Sequence, residues 1–255
     1  MISAALRYEQ EDSLAVITLT KPESGNLITT RTAAALVDAC RDIGGRETVR
    51  AVILTGGSTF SRGTAPGELA RGPSAAAAME ELACTTCLAS LDVPVIAAIA
   101  GDAFGQGLEL ALACDIRLCA DDARFAMDQL TGGLMPWDGG TQRLPRLIGR
   151  GRALEMILQA QVIDAAEAHR IGLVGAVTSS AELLPVAMAL AQQLSARAPL
   201  AIRYCREAVI KGMDLTLPQG LRLEADLYFL LHTTQDRTEG ITAFREKRSP
   251  SFTGS

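Results

Sequence analysis

The 255-residue chain is long enough for one or two domains, and it can bury enough surface to fold without a disulfide bond or a metal ion. Its hydrophobic content of 48% and charged content of 21% are ordinary for a soluble globular protein. The formal charge of −5 and the lack of a Lys/Arg cluster argue against a nucleic-acid partner.

The N-terminal region carries Glu9, Glu11 and Asp12 and has no apolar core, so it resembles neither a signal peptide nor a transit peptide. The apolar run at residues 93–100 contains Pro94 and is far shorter than the ~20 residues that a membrane span needs. We therefore expect a cytoplasmic protein with no membrane partner.

Residues 15–120 alternate short apolar runs with amphipathic segments. The apolar runs predict buried strands at residues 15–19, 51–54, 95–100 and 116–120. The remaining pattern predicts helices at residues 30–43, 74–91 and 107–114, and a polar loop at residues 58–73. Repeated strand–loop–helix units of this kind indicate an α/β fold.

From about residue 149 the pattern becomes mainly helical. It predicts one strand at residues 174–177 and helices at residues 150–158, 164–170, 181–197, 199–211 and 217–233. We therefore expect a core of residues 1–195 that binds and converts the substrate, followed by a helical region of residues 196–255.

The six cysteines include Cys84 and Cys87 in CxxC spacing, but no second CxxC is present. The sequence therefore does not favour a redox or zinc role for this pair. The two histidines, His169 and His232, are too far apart in helical context to suggest a metal site or a catalytic triad. We expect no metal ion.

Two glycine-containing loops, each directly after a predicted buried strand, carry the strongest chemical signal. They are residues 60–66 (FSRGTAP) and residues 101–107 (GDAFGQG), and the second leads into the helix that carries Glu109. Glycine allows the main chain to turn with its N–H groups outward, and a helix N-terminus adds partial positive charge. Two converging N–H groups would form an oxyanion hole, although the spacing alone favours two tight turns.

Six segments of the chain form an ordered set of motifs: residues 26–27 (NL), 60–63 (FSRG), 105–115 (GQGLELALACD), 139–149 (GGTQRLPRLIG), 166–174 (AEAHRIGLV) and 239–248 (EGITAFREKR). In this order they resemble segments of the crotonase family, the enoyl-CoA hydratase/isomerase superfamily. The resemblance covers nearly the whole chain. It implies a spiral of repeated ββα units with a C-terminal helical trimerisation region, and a homotrimer or a hexamer of two trimers.

The resemblance also implies an acyl-CoA substrate, so that coenzyme A enters as part of the substrate and no separate cofactor is needed. Family members hold the thioester oxygen with two main-chain N–H groups, which correspond to Thr64 and Gln106. Leu27, Gly63 and Gly105 lie in the matching substrate-binding segments.

Four further residues have implied contacts with the substrate. Phe244 and Lys247 match positions that contact the CoA adenine and 3′-phosphate in relatives, often across a subunit boundary. Arg62 would either meet a CoA phosphate or remain a solvated surface residue. Trp137 would either wall the acyl pocket or pack in the core.

The catalytic carboxylates depart from the family's pattern. Hydratases of the family hold the attacking water between two glutamates; the first corresponds to Glu109, but Gln129 occupies the second position. Glutamine can bond to water but cannot exchange a proton at neutral pH. Asp138 is either a second carboxylate or the N-cap of the helix after Gly140. Asp128 adjoins Gln129, but an extended segment would turn its side chain away.

These residues favour an acyl-CoA enzyme of the hydro-lyase type, with Glu109 as the main general base and acid. Simple isomerisation is disfavoured, because isomerases of the family usually keep the second glutamate and drop the first. Other reactions on an acyl-CoA (isomerisation, hydrolysis or decarboxylation) are the alternative. An acyl-CoA-binding protein with little activity is an alternative of a different class.

Overall fold

The computed structural model describes residues 5–71 and 74–255, where apolar runs form strands and amphipathic runs form helices. The strands are β1 (Leu6–Glu11), β2 (Leu14–Leu19), β3 (Ala51–Thr55), β4 (Val95–Ile99), β5 (Asp102–Phe104), β6 (Ile116–Ala120), β7 (Arg124–Ala126), β8 (Ile163–Asp164) and β9 (Ala176–Thr178). The helices are α1 (Thr30–Gly44), α2 (Ala75–Leu82), α3 (Thr85–Ala89), α4 (Gln106–Ala113), α5 (Gly140–Ile148), α6 (Arg150–Leu158), α7 (Ala165–Arg170), α8 (Leu183–Ser195), α9 (Pro199–Gly212), α10 (Leu217–Leu231) and α11 (Gln235–Glu246). Short 3-10 helices form at Pro22–Ser24, Glu68–Ala70 and Gln129–Gly132.

The larger sheet has the strand order β1-β2-β3-β4-β6-β9. β1 and β2 are antiparallel, and the other neighbours are parallel. The central strand β3 is buried on both faces: Val52 and Leu54 join the large apolar cluster that includes Leu36 of α1, whereas Ile53 packs with Leu183 of α8 in a second cluster. Burial on both faces explains why such strands appear in the sequence as continuous apolar runs.

A second sheet, β5-β7-β8, lies beside the large one and brings the two glycine-containing loops together. An isolated bridge pairs Ser61 with Ala103. Around it, Phe60 N donates to Ala100 O at 2.8 Å and Phe104 N donates to Ser61 O at 2.9 Å. The loop after β3 therefore runs alongside β5 and the start of α4.

The helix predicted at residues 74–91 is wrong as a single helix, because residues 83–84 separate α2 from α3. Ala83 is extended, with ψ of 116°. The main-chain N–H groups of Cys84 and Thr85 donate to the carboxylate of Asp138 instead of to the preceding helical turn. Residues 72–73 of the predicted loop and residues 1–4 of the predicted core lie outside the described residues.

The C-terminal helices α9, α10 and α11 leave large apolar side chains exposed. Leu217, Phe229 and Phe244 have exposed fractions of 76%, 72% and 85%. In the described part of the chain, no helix is both long enough and apolar enough to span a membrane. The exposed apolar side chains of α9–α11 lie at the surface of this single chain.

Candidate active site

The main-chain N–H groups of Thr64 and Gln106 lie on two loops in close contact. Gly63 and Gly105 precede them with φ of 86° and 51°, a backbone conformation that favours glycine. A Cβ atom on Gly63 would lie 2.9 Å from Phe104 O and 3.1 Å from Gln106 N, so only glycine allows this approach. Within residues 5–71 and 74–255, neither N–H group has a hydrogen-bond acceptor. Both are therefore free to bind an oxygen atom.

The first loop is held in place by a buried asparagine. Asn26 has a positive φ of 46°, and its side-chain amide donates to Gly56 O at 2.8 Å and to Thr59 O at 2.6 Å. Its Oδ1 atom accepts from Lys21 N at 2.7 Å, and its carbonyl oxygen accepts from Ser61 Oγ at 2.9 Å. Sequence reasoning did not identify this role, although asparagine tolerates this backbone conformation better than most residues.

Glu109, in the first turn of α4, is fully buried and its carboxylate accepts three hydrogen bonds. Its Oε1 atom accepts from the main-chain N–H groups of Asp138 at 2.9 Å and Gly140 at 2.7 Å. Its Oε2 atom accepts from Gln129 Nε2 at 3.1 Å. Burial raises the pKa of Glu109 to about 7, and the negative charge of Asp138 raises it too, while the main-chain donors lower it. A carboxyl group with this pKa can accept and return a proton near neutral pH.

Gln129 contacts Glu109 directly, as the first residue of a 3-10 helix. Asp128 before it has φ of −96° and ψ of 5°, so the expected extended segment is wrong at this position. Gln129 Oε1 is buried and has no partner within the described residues. If the amide turns by 180°, this oxygen can accept a hydrogen bond from a protonated Glu109. Gln129 can thus bond to either protonation state of the glutamate.

The carboxylate of Asp138 is buried and does not cap α5. The N-cap of α5 is Gly139, without a side-chain hydrogen bond, so the expected N-cap role at this helix is wrong. Asp138 Oδ2 instead accepts from Cys84 N at 3.1 Å, Thr85 N at 3.3 Å and Gln106 Nε2 at 3.0 Å. Asp138 Oδ1 lies 2.8 Å from the Thr85 hydroxyl, which donates to it.

The other predicted substrate contacts lie around these loops or on the C-terminal surface. Arg62 forms an ion pair with Asp102 at 3.4 Å, and its guanidinium carbon is 5.9 Å from the centre of the Phe104 ring. Leu27 is half-buried beside the first loop, and the half-buried Trp137 packs against the large apolar cluster.

Phe244 and Lys247 lie at the C-terminal end of α11, where both are exposed. Lys247 caps this helix with a positive φ of 55°. The structure therefore leaves both side chains accessible to a ligand or to a second chain.

The described residues contain no group of three or more His, Cys, Asp or Glu side chains that could hold a metal ion. Cys84 and Cys87 are both free thiols. Burial raises the pKa of the Cys84 thiol well above its usual range, so this cysteine is protonated at neutral pH.

The raised pKa of Glu109 predicts a specific dependence of stability on pH. Between the pKa of about 4.3 in the unfolded chain and about 7 in the folded chain, the folded state binds more protons, so the free energy of unfolding falls as pH rises. Over the full range the difference amounts to roughly 4 kcal/mol at most. We expect urea denaturation at pH 5 and pH 8 to show this loss in the wild type and to show less of it in Glu109→Gln. Equal losses in both proteins would contradict the assigned pKa.

Three comparisons place these features among known proteins. The sequence matches the enoyl-CoA hydratase/isomerase family over residues 9–255. It is 36% identical over 255 residues to a probable enoyl-CoA hydratase of Mycobacterium bovis, covering 99% of each chain, and 37% identical over 250 residues to the crotonyl-CoA hydratase of Syntrophomonas wolfei, covering 96% of each. The structure of an enoyl-CoA hydratase from Bacillus anthracis superposes with a TM-score of 0.94 at 35% identity, covering 98% of this chain and 100% of that one.

These matches extend through both loops, the buried glutamate and the C-terminal helices. The agreement in sequence and in fold over nearly the whole chain shows that this protein is an enzyme of the enoyl-CoA hydratase/isomerase family.

Proposed function

We propose that the protein adds water to the double bond of an enoyl-CoA thioester, as a hydro-lyase. The observation that carries this proposal is the buried Glu109, with a pKa of about 7, on the same helix turn as the unpartnered N–H of Gln106. The names of the relatives, which include a crotonyl-CoA hydratase and a 2,3-dehydroadipyl-CoA hydratase of Escherichia coli, support the same reaction.

In this mechanism the N–H groups of Thr64 and Gln106 bind the thioester oxygen. Negative charge develops on that oxygen as water adds to the β-carbon, and each donor contributes roughly 3–4 kcal/mol to stabilising it. The Glu109 carboxylate takes a proton from the attacking water and then delivers it to the α-carbon. Gln129 holds the Glu109 carboxyl group in both protonation states.

The test is a direct assay of crotonyl-CoA hydration beside a panel of longer and cyclic enoyl-CoA thioesters. Loss of the enoyl thioester absorbance, with formation of the 3-hydroxyacyl-CoA, would support the proposal. Retention of these compounds on the protein without turnover of any of them would instead favour a binding protein. Release of free CoA would favour a thioester hydrolase.

Gln129→Glu is expected to raise kcat/KM for crotonyl-CoA. Gln129 Nε2 lies 3.1 Å from Glu109 Oε2, so a carboxyl group here would share the reacting water and could exchange a proton. The measurement is the rate of crotonyl-CoA hydration by the wild type and the variant. Gln193→Glu, an equal change at an exposed position of α8, serves as the control. A lower rate for Gln129→Glu would show that the amide itself is required.

We propose that the chain assembles into a homotrimer or a hexamer of two trimers, with the exposed apolar faces of α9–α11 at the contacts. In such an assembly, Phe244 and Lys247 would contact the CoA moiety, while Arg62 would approach one of its phosphates. Light scattering at micromolar concentration is expected to give the mass of three or six chains. The mass of one chain would contradict the proposal.

A further inference from the structure

A continuous chain of polar side chains joins the residues that carry the two free N–H groups. Thr64 Oγ1 donates to Gln106 Oε1 at 2.8 Å. The amide nitrogen of Gln106 donates in turn to Leu82 O at 2.8 Å and to Asp138 Oδ2 at 3.0 Å. Gln106 is almost fully buried, so these bonds form away from bulk water, where a lost partner costs most. The two loops are therefore joined through side chains as well as through backbone contacts.

The main chain before the second donor is held by backbone hydrogen bonds, because Gly105 N donates to Ala126 O at 2.9 Å and Gly105 O accepts from Glu109 N at 3.1 Å. Gln106 stands between Gly105 and Gly107, which have no side chain with which to anchor this turn. Glycine also allows more backbone conformations than any other residue. The hydrogen bonds of the Gln106 side chain therefore help to hold the main-chain N–H group of the same residue in position.

The Asp138 carboxylate is fully engaged in holding this anchor and the start of α3. Its oxygens accept hydrogen bonds from the N–H groups of Cys84 and Thr85, the Thr85 hydroxyl and the Gln106 amide. Towards Glu109, Asp138 presents its main-chain N–H group. Its carboxylate oxygens are occupied by protein donors and are not directed at the glutamate that performs the proton transfer.

We propose that Asp138 is a positioning residue, which acts through Gln106 to hold the two main-chain donors in the geometry that binds the thioester oxygen. The inference rests on the proposed function in one respect, namely that these donors bind an acyl-CoA thioester. It assigns to Asp138 a role in polarising the thioester carbonyl instead of a proton-transfer role.

Two substitutions of Asp138 can separate the effect of its negative charge from the effect of its hydrogen bonds. In Asp138→Asn, the amide oxygen can accept from the Cys84, Thr85 and Gln106 donors, as Oδ2 does now. Its amide nitrogen can donate to the Thr85 hydroxyl, because that hydroxyl also lies 2.6 Å from Asp138 O and can donate there. Asparagine thus preserves the hydrogen-bond pattern without a carboxylate, whereas Asp138→Ala removes both.

The experiment measures the infrared carbonyl stretch of butanoyl-CoA, isotope-labelled at the thioester carbonyl, bound to the wild type, Asp138→Asn and Asp138→Ala. We expect the wild type and Asp138→Asn to shift the band to similarly low frequency and Asp138→Ala to shift it less. In crotonyl-CoA turnover, Asp138→Ala should lose ~10-fold in kcat, less than the roughly 10²–10³-fold cost of deleting a donor. Asp138→Asn should remain close to the wild type.

Asp236→Ala is the matched control, because Asp236 is also buried and binds the N–H groups of Thr253 and Gly254 in the C-terminal region. It should lower stability without moving the carbonyl band. A carbonyl band at the wild-type frequency in Asp138→Ala would overturn the positioning role. An equal loss of kcat in both Asp138 variants would overturn it too. Absence of any shift in the wild type would instead contradict the proposed function, so the two failures are distinguishable.

Discussion

Glu109→Gln is expected to lower kcat/KM for crotonyl-CoA by at least about a hundredfold, the cost of losing general acid–base catalysis. The substitution keeps the shape of the side chain, and its amide oxygen can still accept from the N–H groups of Asp138 and Gly140. Once the Gln129 amide turns by 180°, its unpartnered Oε1 atom can accept from the new amide nitrogen. The variant should therefore fold normally and bind substrate, yet lack the group that moves the proton.

The loss should appear in kcat, with KM nearly unchanged, in a steady-state assay of both proteins. Glu68→Gln provides the control, because Glu68 is also buried but binds Thr30 N, at the start of α1. The wild-type kcat/KM should rise with pH through about 7, because the free enzyme needs the ionised carboxylate to accept the proton. Near-wild-type activity in Glu109→Gln would remove Glu109 from the mechanism. A larger loss in Asp138→Asn than in Glu109→Gln would move the proton transfer to Asp138.

The sequence predicted the elements that are strongly periodic or continuously apolar. The predicted strands at residues 15–19, 51–54 and 116–120 and the helix at residues 150–158 match β2, β3, β6 and α6 closely. β5, β7 and β8 were not predicted, since strands of two or three residues are too short to show a period. α5 was expected only as a helix after Gly140, without an end point, and it contains Pro145, which normally signals a helix boundary.

The break between α2 and α3 is a feature that the local sequence pattern could not predict. The alanine-rich residues 75–78 and the apolar residues beyond them favour a single long helix. The break depends on Asp138, which lies 53 residues after Thr85 in the chain. The Asp138 carboxylate accepts hydrogen bonds from the N–H groups at the start of α3. A tertiary hydrogen bond of this kind has no local sequence signal.

The candidate site was predictable where it depends on glycine loops and on a single glutamate. Spacing and resemblance indicated Thr64, Gln106 and Glu109, and the structure places these residues on two adjoining loops and one helix turn. The partners of Asp138 were not predictable, because they come from the α2–α3 junction and from α4.

Gln106→Pro is expected to abolish measurable hydration, because proline has no main-chain N–H group and removes one of the two donors. Gln106 is the first residue of α4, the helix position at which proline is best tolerated. Gly105 before it has φ of 51° and ψ of −124°, outside the α region that a following proline disfavours. The fold should therefore survive the substitution, which circular dichroism and thermal denaturation would check.

Gln106→Ala is the control that separates the main-chain donor from the side chain. It keeps the N–H group but removes the bonds to Thr64, Leu82 and Asp138. We expect a moderate loss of kcat in Gln106→Ala and a further loss of roughly 10²–10³-fold in Gln106→Pro, since only the latter lacks the donor to the developing oxyanion. Equal activities in the two variants would show that the N–H of Gln106 does not bind the thioester oxygen.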